Sequence, residues 1–515
     1  MDAASVEAVF REMDASAFTG VRWYRHKALQ TDSFELSDFA VIQSEHDAPA
    51  VDGGLNVQDE PGVPRMVLAI LRFPGAGDYF VPALIGPSGM MAESLPLLGT
   101  VAGHRWDVRD AAVSDEYANL IPWLAGAGRQ LPTLHGRFEF RLVGGGGHGW
   151  RVKKVGDAYT NTIAIARRGS ALKTFRLLTP GTNPDVEIGV ALAKMTEFRE
   201  TPRVEAEVAY VGADGVRYSV AVQTEEVPSV GDAWEGIASA LDGALRIPEA
   251  EHPFAVGPAS CAAISELGAT IARLHAALAS VDAPGFGCRR ADESDVERWD
   301  EAARTRADLA VDAIADCMGS LGPEAQHAAA RVLESQSSVR SFVCGASIPE
   351  GAVPMDLGHV MRCHGDLHLG QILVKPDGGY AVIDFEGEPL APVEERRALA
   401  SPARDIAGML RSLSYAAKGA VVRMPKCSQD AYEIADAWER ESREAFLSGY
   451  LAEERRGGRR LLPPDDVDRT ALIRRFEIEK ALYEVNYELN NRPDWSIIPL
   501  TGVCRLIDRA GGGAE

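Results

Sequence analysis

The segment Arg362–Pro389, RCHGDLHLGQILVKPDGGYAVIDFEGEP, constrains the chain more than any other stretch. Two short apolar runs, Ile372-Leu373-Val374 and Tyr380 to Ile383, flank Pro376-Asp377-Gly378-Gly379. Proline presets the entry to a turn and glycine accepts the positive φ a reversal needs, so the segment predicts a tight hairpin. Asp366 and Gln371 precede the first strand and Asp384 follows the second. Two carboxylates and one carboxamide therefore fall at the mouths of one hairpin.

That set suits phosphoryl transfer. One carboxylate, Asp366, would orient or deprotonate the accepting hydroxyl, while Gln371 and Asp384 would hold Mg²⁺ against nucleotide phosphates. The bland alternative is a surface hairpin with incidental acids. The common register of all three groups argues against it.

At 515 residues the chain has material for two or three domains, and 46% hydrophobic with 25% charged residues is ordinary for a globular protein. Its 53 basic and 75 acidic residues give a net charge of −22, which argues against nucleic acid or an anionic membrane as the main partner. Nucleotide binding needs only a local cluster of donors and a metal, so it stays open. Seven scattered cysteines without a CxxC argue against a zinc site or disulfide framework. The first residues are acidic and amphipathic, unlike a signal peptide, and no apolar run approaches the ~18 residues of a membrane span. The expected location is the cytoplasm.

Residues 1–100 read as a short helix, with Val6, Val9, Phe10 and Met13 on one face, followed by a strand-rich module. The aromatic-basic cluster Arg22-Trp23-Tyr24-Arg25-His26-Lys27 lies between them, and residues 45–64 form a polar loop. Residues 101–135 carry helical signals around Trp106, Leu120, Ile121, Trp123 and Leu124. The tract Gly144-Gly145-Gly146-Gly147 lacks the Gly-Lys-Ser/Thr ending of a phosphate loop and reads as a linker or wide turn. A better candidate is the polar loop Gly156–Thr162, between strands ending at Val155 and starting at Ile163. There Thr160, Asn161 and Thr162 could offer hydroxyl and backbone donors to phosphates. Lys173 falls in the next strand, where a lysine contacts nucleotide phosphates after such a hairpin. Asn183-Pro184 then opens a helix, and Glu187 in its first turn is either the partner of Lys173 or an acid compensating the helix dipole.

Glu225-Glu226-Val227-Pro228 reads as a hinge, and the chain beyond it is mainly helical. Ile264, Leu267, Ile271, Leu274 and Leu278 make one buried stripe, with His275 beside it as a packed core histidine. Asp405 opens another helix, where it could support the Asp366 loop through hydrogen bonds. A long helix over about 469–490 carries Phe476, Lys480, Tyr483 and Tyr487 on one stripe and Glu477, Glu484 and Glu488 on the next, leading to Trp495. Acids beside aromatic rings suit sugar recognition, although a solvated charged face gives the same pattern.

HGDLHLGQIL, VIDFEGEP, SPARDIAGMLRS and ALYEVNYELNNRPDW, with LKTFRLLTPGTNPDVE upstream, resemble the actinobacterial maltokinases and glucosamine kinases. These belong to the aminoglycoside-phosphotransferase-like branch of the protein-kinase fold. The likeness covers about residues 155–505. It implies an α+β, bilobal protein-kinase-like fold, with a β-rich N-lobe, an α-helical C-lobe and an N-terminal β-rich cap. The expected divisions are a cap over 1–100, an intermediate region and nucleotide-binding lobe over 101–228, and a helical lobe with catalytic loop and sugar pocket over 229–515. The resemblance implies ATP and Mg²⁺, with Asp366 as catalytic base, Gln371 and Asp384 on the metal, and Lys173 with Glu187 at the phosphates. His368, Glu484, Glu488 and Trp495 would surround the sugar. Maltose, giving maltose 1-phosphate, ranks first as acceptor and glucosamine, giving glucosamine 6-phosphate, second. An aminoglycoside acceptor and a catalytically silent regulator rank below both.

Overall fold

A computed structural model describes residues 2–26, 33–42, 63–101, 103, 105–144, 152–158, 161–166, 169–246, 254, 257–337, 355–389, 391–424 and 428–511. The chain divides into two compact units. The first is Met1–Lys194 with Pro202–Val227, and the second is Met195–Thr201 with Pro228–Glu515.

The first unit is built on two antiparallel sheets. β1 (Glu35–Val41), β2 (Arg65–Phe73), β3 (Gly77–Pro87), β4 (Leu97–Val101) and β5 (Trp106–Asp110) take the order β1-β2-β3-β5-β4. β2 and β3 are buried along almost their whole length because both faces of the sheet are covered, which explains their unbroken apolar runs. Val6, Phe10, Trp23 and Tyr24 pack over Val67, Phe73 and Tyr79 on one side. On the other, Phe80 and Leu84 share a core with Tyr117, Leu120 and Leu124 of a helix over Asp115–Gly126 and with Phe138, Tyr210 and Val220.

The last three side chains belong to a seven-stranded sheet. It contains β6 (Gln130–Pro132), β7 (Gly136–Leu142), β8 (Val152–Ala158), β9 (Asn161–Ala166), β10 (Ser170–Phe175), β11 (Val204–Gly212) and β12 (Arg217–Glu225), in the order β6-β7-β11-β12-β10-β9-β8. Two expectations need correction here. Within 101–135 the helix is confined to Asp115–Gly126, capped by the Ser114 hydroxyl, while Trp106 lies in strand β5. The β8–β9 ladder runs through Ala158 and from Asn161, so the expected loop over Gly156–Thr162 is mostly strand. Thr160, Gly145-Gly146-Gly147 of the glycine tract and most of the 45–64 stretch lie outside the described residues.

The second unit is helical. α1 (Cys261–Leu278) buries Ile264, Leu267, Ile271, Leu274 and Leu278, as its spacing predicts. α2 (Glu293–Cys317) places Ala303, Ala307, Ala310 and Ile314 against Ile478, Leu482, Val485 and Leu489. Alanines at three- and four-residue intervals let those helices close on each other, which gives the Ala-rich stretch its purpose. The hairpin expected around Pro376–Gly379 is β13 (Ile372–Val374) with β14 (Tyr380–Val382), and it is followed by α3 (Pro402–Val422), α4 (Gln429–Gly457) and α5 (Asp466–Asn491). No helix of the described residues is long and apolar enough to cross a membrane.

Candidate active site

The loop carrying Asp366 is seated on one face of α3. Asp405, Gly408 and Ser412 recur there at the three- and four-residue steps of a helix face. Asp405 accepts from the His364 N–H through Oδ2 at 2.8 Å and from the Gly365 N–H through Oδ1 at 2.9 Å. The Leu369 N–H donates to Ser412 Oγ at 3.1 Å. Between them a Cβ on Gly408 would lie 2.4 Å from the Leu367 carbonyl oxygen, so only glycine lets the loop approach this closely. Burial alone would raise the Asp405 pKa, but the bond from His275, the neighbouring His364 and the Gly365 amide hold it below the usual range. The support read for Asp405 from the sequence is therefore present.

His364 ties the two mouths of the hairpin together. Its Nδ1 accepts from the Asp366 N–H at 3.3 Å, which leaves Nε2 protonated to donate to the Ile383 carbonyl at 2.9 Å. Gln371 Nε2 donates to Asp384 Oδ2 at 3.1 Å. Asp384 has φ of 68°, and it is the one non-glycine residue with positive φ among those described. This left-handed turn ends the strand and brings the Asp384 carboxylate to the Gln371 amide, at a strain cost that functional loops commonly carry. A carboxylate and an amide at one point form a hard oxygen donor set, which fits a Mg²⁺-type cation.

The side chain that contacts Asp366 comes from α5. Lys480 Nζ lies 2.9 Å from Asp366 Oδ1 and 2.9 Å from Glu388 Oε1. Glu388 also meets Arg306 at 2.5 Å, and Arg404 meets Glu479 at 2.9 Å, so Asp366 stands at the edge of a charged network. Burial would push the Glu388 carboxyl up, yet Lys480, Arg306 and Arg404 outweigh it and hold the pKa at about 2. Burial opposes the Lys480 charge in the same way, and Asp366 and Glu388 raise its pKa well above the ordinary value. Asp366 Oδ2 accepts no hydrogen bond among the described residues, so one oxygen of the carboxylate is open while the other is held.

Lys480 received no role in the sequence reading, although the signal was there. A lysine on a stripe with Phe476, Tyr483 and Tyr487 faces inward and must find an acid. Its ammonium lies 4.7 Å from the Tyr483 ring centroid.

The glutamates further along α5 are not a solvated face. Glu477 pairs with Arg443 at 2.8 Å, Glu484 with Arg411 at 2.6 Å and Glu488 with Arg492 at 2.6 Å. Arg492 spans both oxygens of Glu488, whereas both bonds from Arg411 fall on Glu484 Oε2 and leave Oε1 open among the described residues. Burial keeps the pKa of Glu484 and of Glu488 above the usual range despite their guanidinium partners. Trp495 has Arg492 at 5.2 Å from its ring, and Tyr483 stacks on Tyr487 with centroids 6.3 Å apart. His368 lies on the Asp366 loop, where its Nδ1 accepts from the Gly370 N–H at 3.1 Å. Burial lowers the His368 pKa even with Asp366 nearby.

In the first unit, Lys173 lies on β10, opposite Ile163 of β9 and Val222 of β12. Its Nζ is 2.8 Å from Asp185 Oδ2. Asp185 opens the helix over Pro184–Met195, where the Asn183 side chain accepts from its N–H at 2.9 Å and the Asn183 carbonyl accepts from the Glu187 N–H at 3.0 Å. Asp185 is thus an acid the sequence reading passed over in the same first turn as Glu187. Thr162 is corrected. It is buried, and its hydroxyl accepts from Arg176 Nε at 3.0 Å, so its side chain faces the interior rather than a phosphate. Asn161 beside it is buried as well.

Residues 238–463 match the phosphotransferase enzyme family. The glucosamine kinase of Mycolicibacterium smegmatis is 28% identical over 350 residues, which are 68% of this chain and 78% of that protein. The glucosamine kinase of Streptacidiphilus jiangxiensis is 28% identical over 275 residues, 53% of this chain and about half of that protein, 54%. Among solved structures, a glucosamine kinase in complex with glucosamine, ADP and inorganic phosphate superposes with a TM-score of 0.60 at 23% identity, covering 90% of this chain and 98% of that one. A second crystal form of a glucosamine kinase gives 0.61 at 22% identity over 90% and 99%. These likenesses show the fold, which is α+β and protein-kinase-like, with a β-sheet N-terminal region and a helical C-terminal region.

Proposed function

We infer that this chain, a member of the phosphotransferase enzyme family through its residues 238–463, is an ATP-dependent kinase that phosphorylates glucosamine at O6. The observation that carries the reading is the state of Asp366. Lys480 holds Oδ1, and Oδ2 is open to accept a hydrogen bond and then the proton of an incoming hydroxyl. Lys173 is the group for the nucleotide phosphates, exchanging Asp185 for them, with Glu187 in the same helical turn. Gln371 and Asp384 would hold Mg²⁺, which when bound supplies neutralisation of phosphate charge.

The acceptor rests on two supports. Motifs alone rank maltose first, but the named relatives are glucosamine kinases and favour the amino sugar. Glu484 Oε1, open about one turn along α5 from Lys480, suits an ammonium group, and His368, Glu488 and Trp495 complete the proposed sugar pocket. A coupled assay of ADP release with glucosamine, maltose, glucose and an aminoglycoside tests the reading. Glucosamine should give the highest kcat/KM, and Asp366→Asn should lower kcat by about 10³-fold while the far-UV spectrum is kept. A higher kcat/KM for maltose would overturn the acceptor, and full activity of the Asn variant would overturn the base.

A further inference from the structure

One face of α3 carries the Asp366 loop, and a second face looks elsewhere. Arg411, Ser414 and Lys418 recur on that face at three- and four-residue steps. With α4 and the helix over Ile497–Gly511 they line a cavity of about 510 Å³, to which Asp366, Gln371, Asp384 and Lys480 do not contribute. Most of its charges are already paired. Arg443 gives two nitrogens to the two oxygens of Glu477, at 2.8 and 2.9 Å. Lys418 meets Asp436 and Glu439, and Glu439 also accepts from the Ser414 hydroxyl at 2.6 Å.

Arg411 is the exception. It is 4% exposed, and its Nε and Nη2 both donate to Glu484 Oε2, while Nη1 has no acceptor among the described residues. Residue 502 leaves that nitrogen uncovered, because a Cβ on Gly502 would lie 2.6 Å from it. A guanidinium nitrogen held this deep needs an acceptor, and the cavity is the place from which one can come. Two more guanidinium groups keep donors in reserve. Arg440 is exposed and without an ion pair among the described residues, and Arg505 stands 3.9 Å from Glu439 and 4.0 Å from Asp436, too far for a hydrogen bond. Against them stands one acid of the lining without an ion pair among the described residues, the exposed Glu444.

We propose that this cavity is a second binding site, for a small phosphate anion, free or esterified, with Arg411 Nη1 at its floor and Arg440 and Arg505 beside it. Guanidinium nitrogens match phosphate oxygens in both charge and geometry. The same planar guanidinium holds Glu484, so an occupied cavity fixes Arg411 and with it a carboxylate of the proposed sugar pocket. That coupling rests on the function proposed above, and the site itself does not.

Equilibrium dialysis of the full chain against labelled inorganic phosphate tests the site, with glucose 6-phosphate as competitor. The wild type should bind phosphate with a Kd of about 1 mM, as two charge-assisted hydrogen bonds give. Arg440→Gln should weaken binding about 10-fold, and so should Gly502→Ala, which closes the approach to Nη1. Displacement by the sugar phosphate at lower concentration than phosphate itself marks the ester as the occupant, and weaker displacement marks the free ion. Phosphate should also lower KM for glucosamine about fivefold in the wild type and leave it unchanged in Arg440→Gln. No binding by the wild type, or equal binding by Arg440→Gln, would overturn the site. Bound phosphate with an unchanged KM would overturn the coupling. If the wild type does not turn over glucosamine, the acceptor reading fails and the dialysis still decides the site.

Discussion

Lys173 and Lys480 meet carboxylates at nearly the same distance, 2.8 and 2.9 Å, but are assembled in opposite ways. The Lys173 pair joins a strand to the helix that follows it, with lysine and acid 12 positions apart. Lys480 joins acids 114 and 92 positions away, and through Glu388 it connects to Arg306. The first pair is local, joining a strand of the sheet to the first turn of the next helix. The second ties the proposed base into a charged network, so breaking it disturbs several groups at once. On the proposed function, Lys173 exchanges its acid for a phosphate and Lys480 keeps its acids.

That contrast can be broken by substitution. Lys480→Met removes the ammonium shared by Asp366 and Glu388. It should lower kcat about 10²-fold and cost about 2 kcal/mol of stability, since a buried carboxylate loses a charged partner. Lys173→Met should instead raise KM for ATP and change stability by less than about 1 kcal/mol in urea titrations. Equal stability losses in the two variants would erase the distinction.

Acid sharpens it. The Glu388 pKa is held at about 2, below the ordinary glutamate range, so its stabilising contribution is present at neutral pH and is lost as pH falls toward about 2. Urea midpoints followed downward from about pH 6 should therefore drop more steeply for the wild type than for Glu388→Gln, with the two curves converging near about pH 2. Parallel curves would show that Glu388 is not held in this way. The smallest effect on activity is expected at Thr162. Replacing it with Val should cost about 1–2 kcal/mol, because Arg176 loses an acceptor, and leave KM for ATP unchanged. A raised KM would return Thr162 to the phosphates.

Much of this was legible in the sequence because it is local. The turn residues Pro376–Gly379 specify the β13–β14 hairpin, and the 3- and 4-residue steps from Ile264 to Leu278 specify the buried face of α1. Asp405 could be read as a support because it opens a helix just beyond the hairpin. What escaped depends on contacts between distant segments. The arginine partners of Glu477 and Glu484 lie on α4 and α3, where no spacing rule selects them, whereas Arg492 follows Glu488 at the i,i+4 step. Trp106 was hidden for another reason. WDVRD is a five-residue strand, too short to show alternation beside the stronger helical pattern of Asp115–Gly126. Thr162 misled because a polar residue next to a turn resembles a phosphate ligand, while the buried Arg176 that claims its hydroxyl lies two strands' length further on. His275 read correctly as a buried core residue, and its hydrogen bonds to Tyr450 and Asp405 appear only when α1, α3 and α4 are brought together.

Transfer of a phosphoryl group to O6 of glucosamine, with Asp366 as the proposed base, can be read from its product. A phosphorus–proton correlation spectrum of the product formed from ATP and an equimolar mixture of glucosamine and maltose reads both parts of the acceptor assignment at once. The expected product is a phosphate ester coupled to the two C6 protons of glucosamine, formed about 10³-fold more slowly by the Asp366→Asn protein. Coupling to the anomeric proton of maltose, or the same glucosamine ester formed at an undiminished rate by Asp366→Asn, would contradict it.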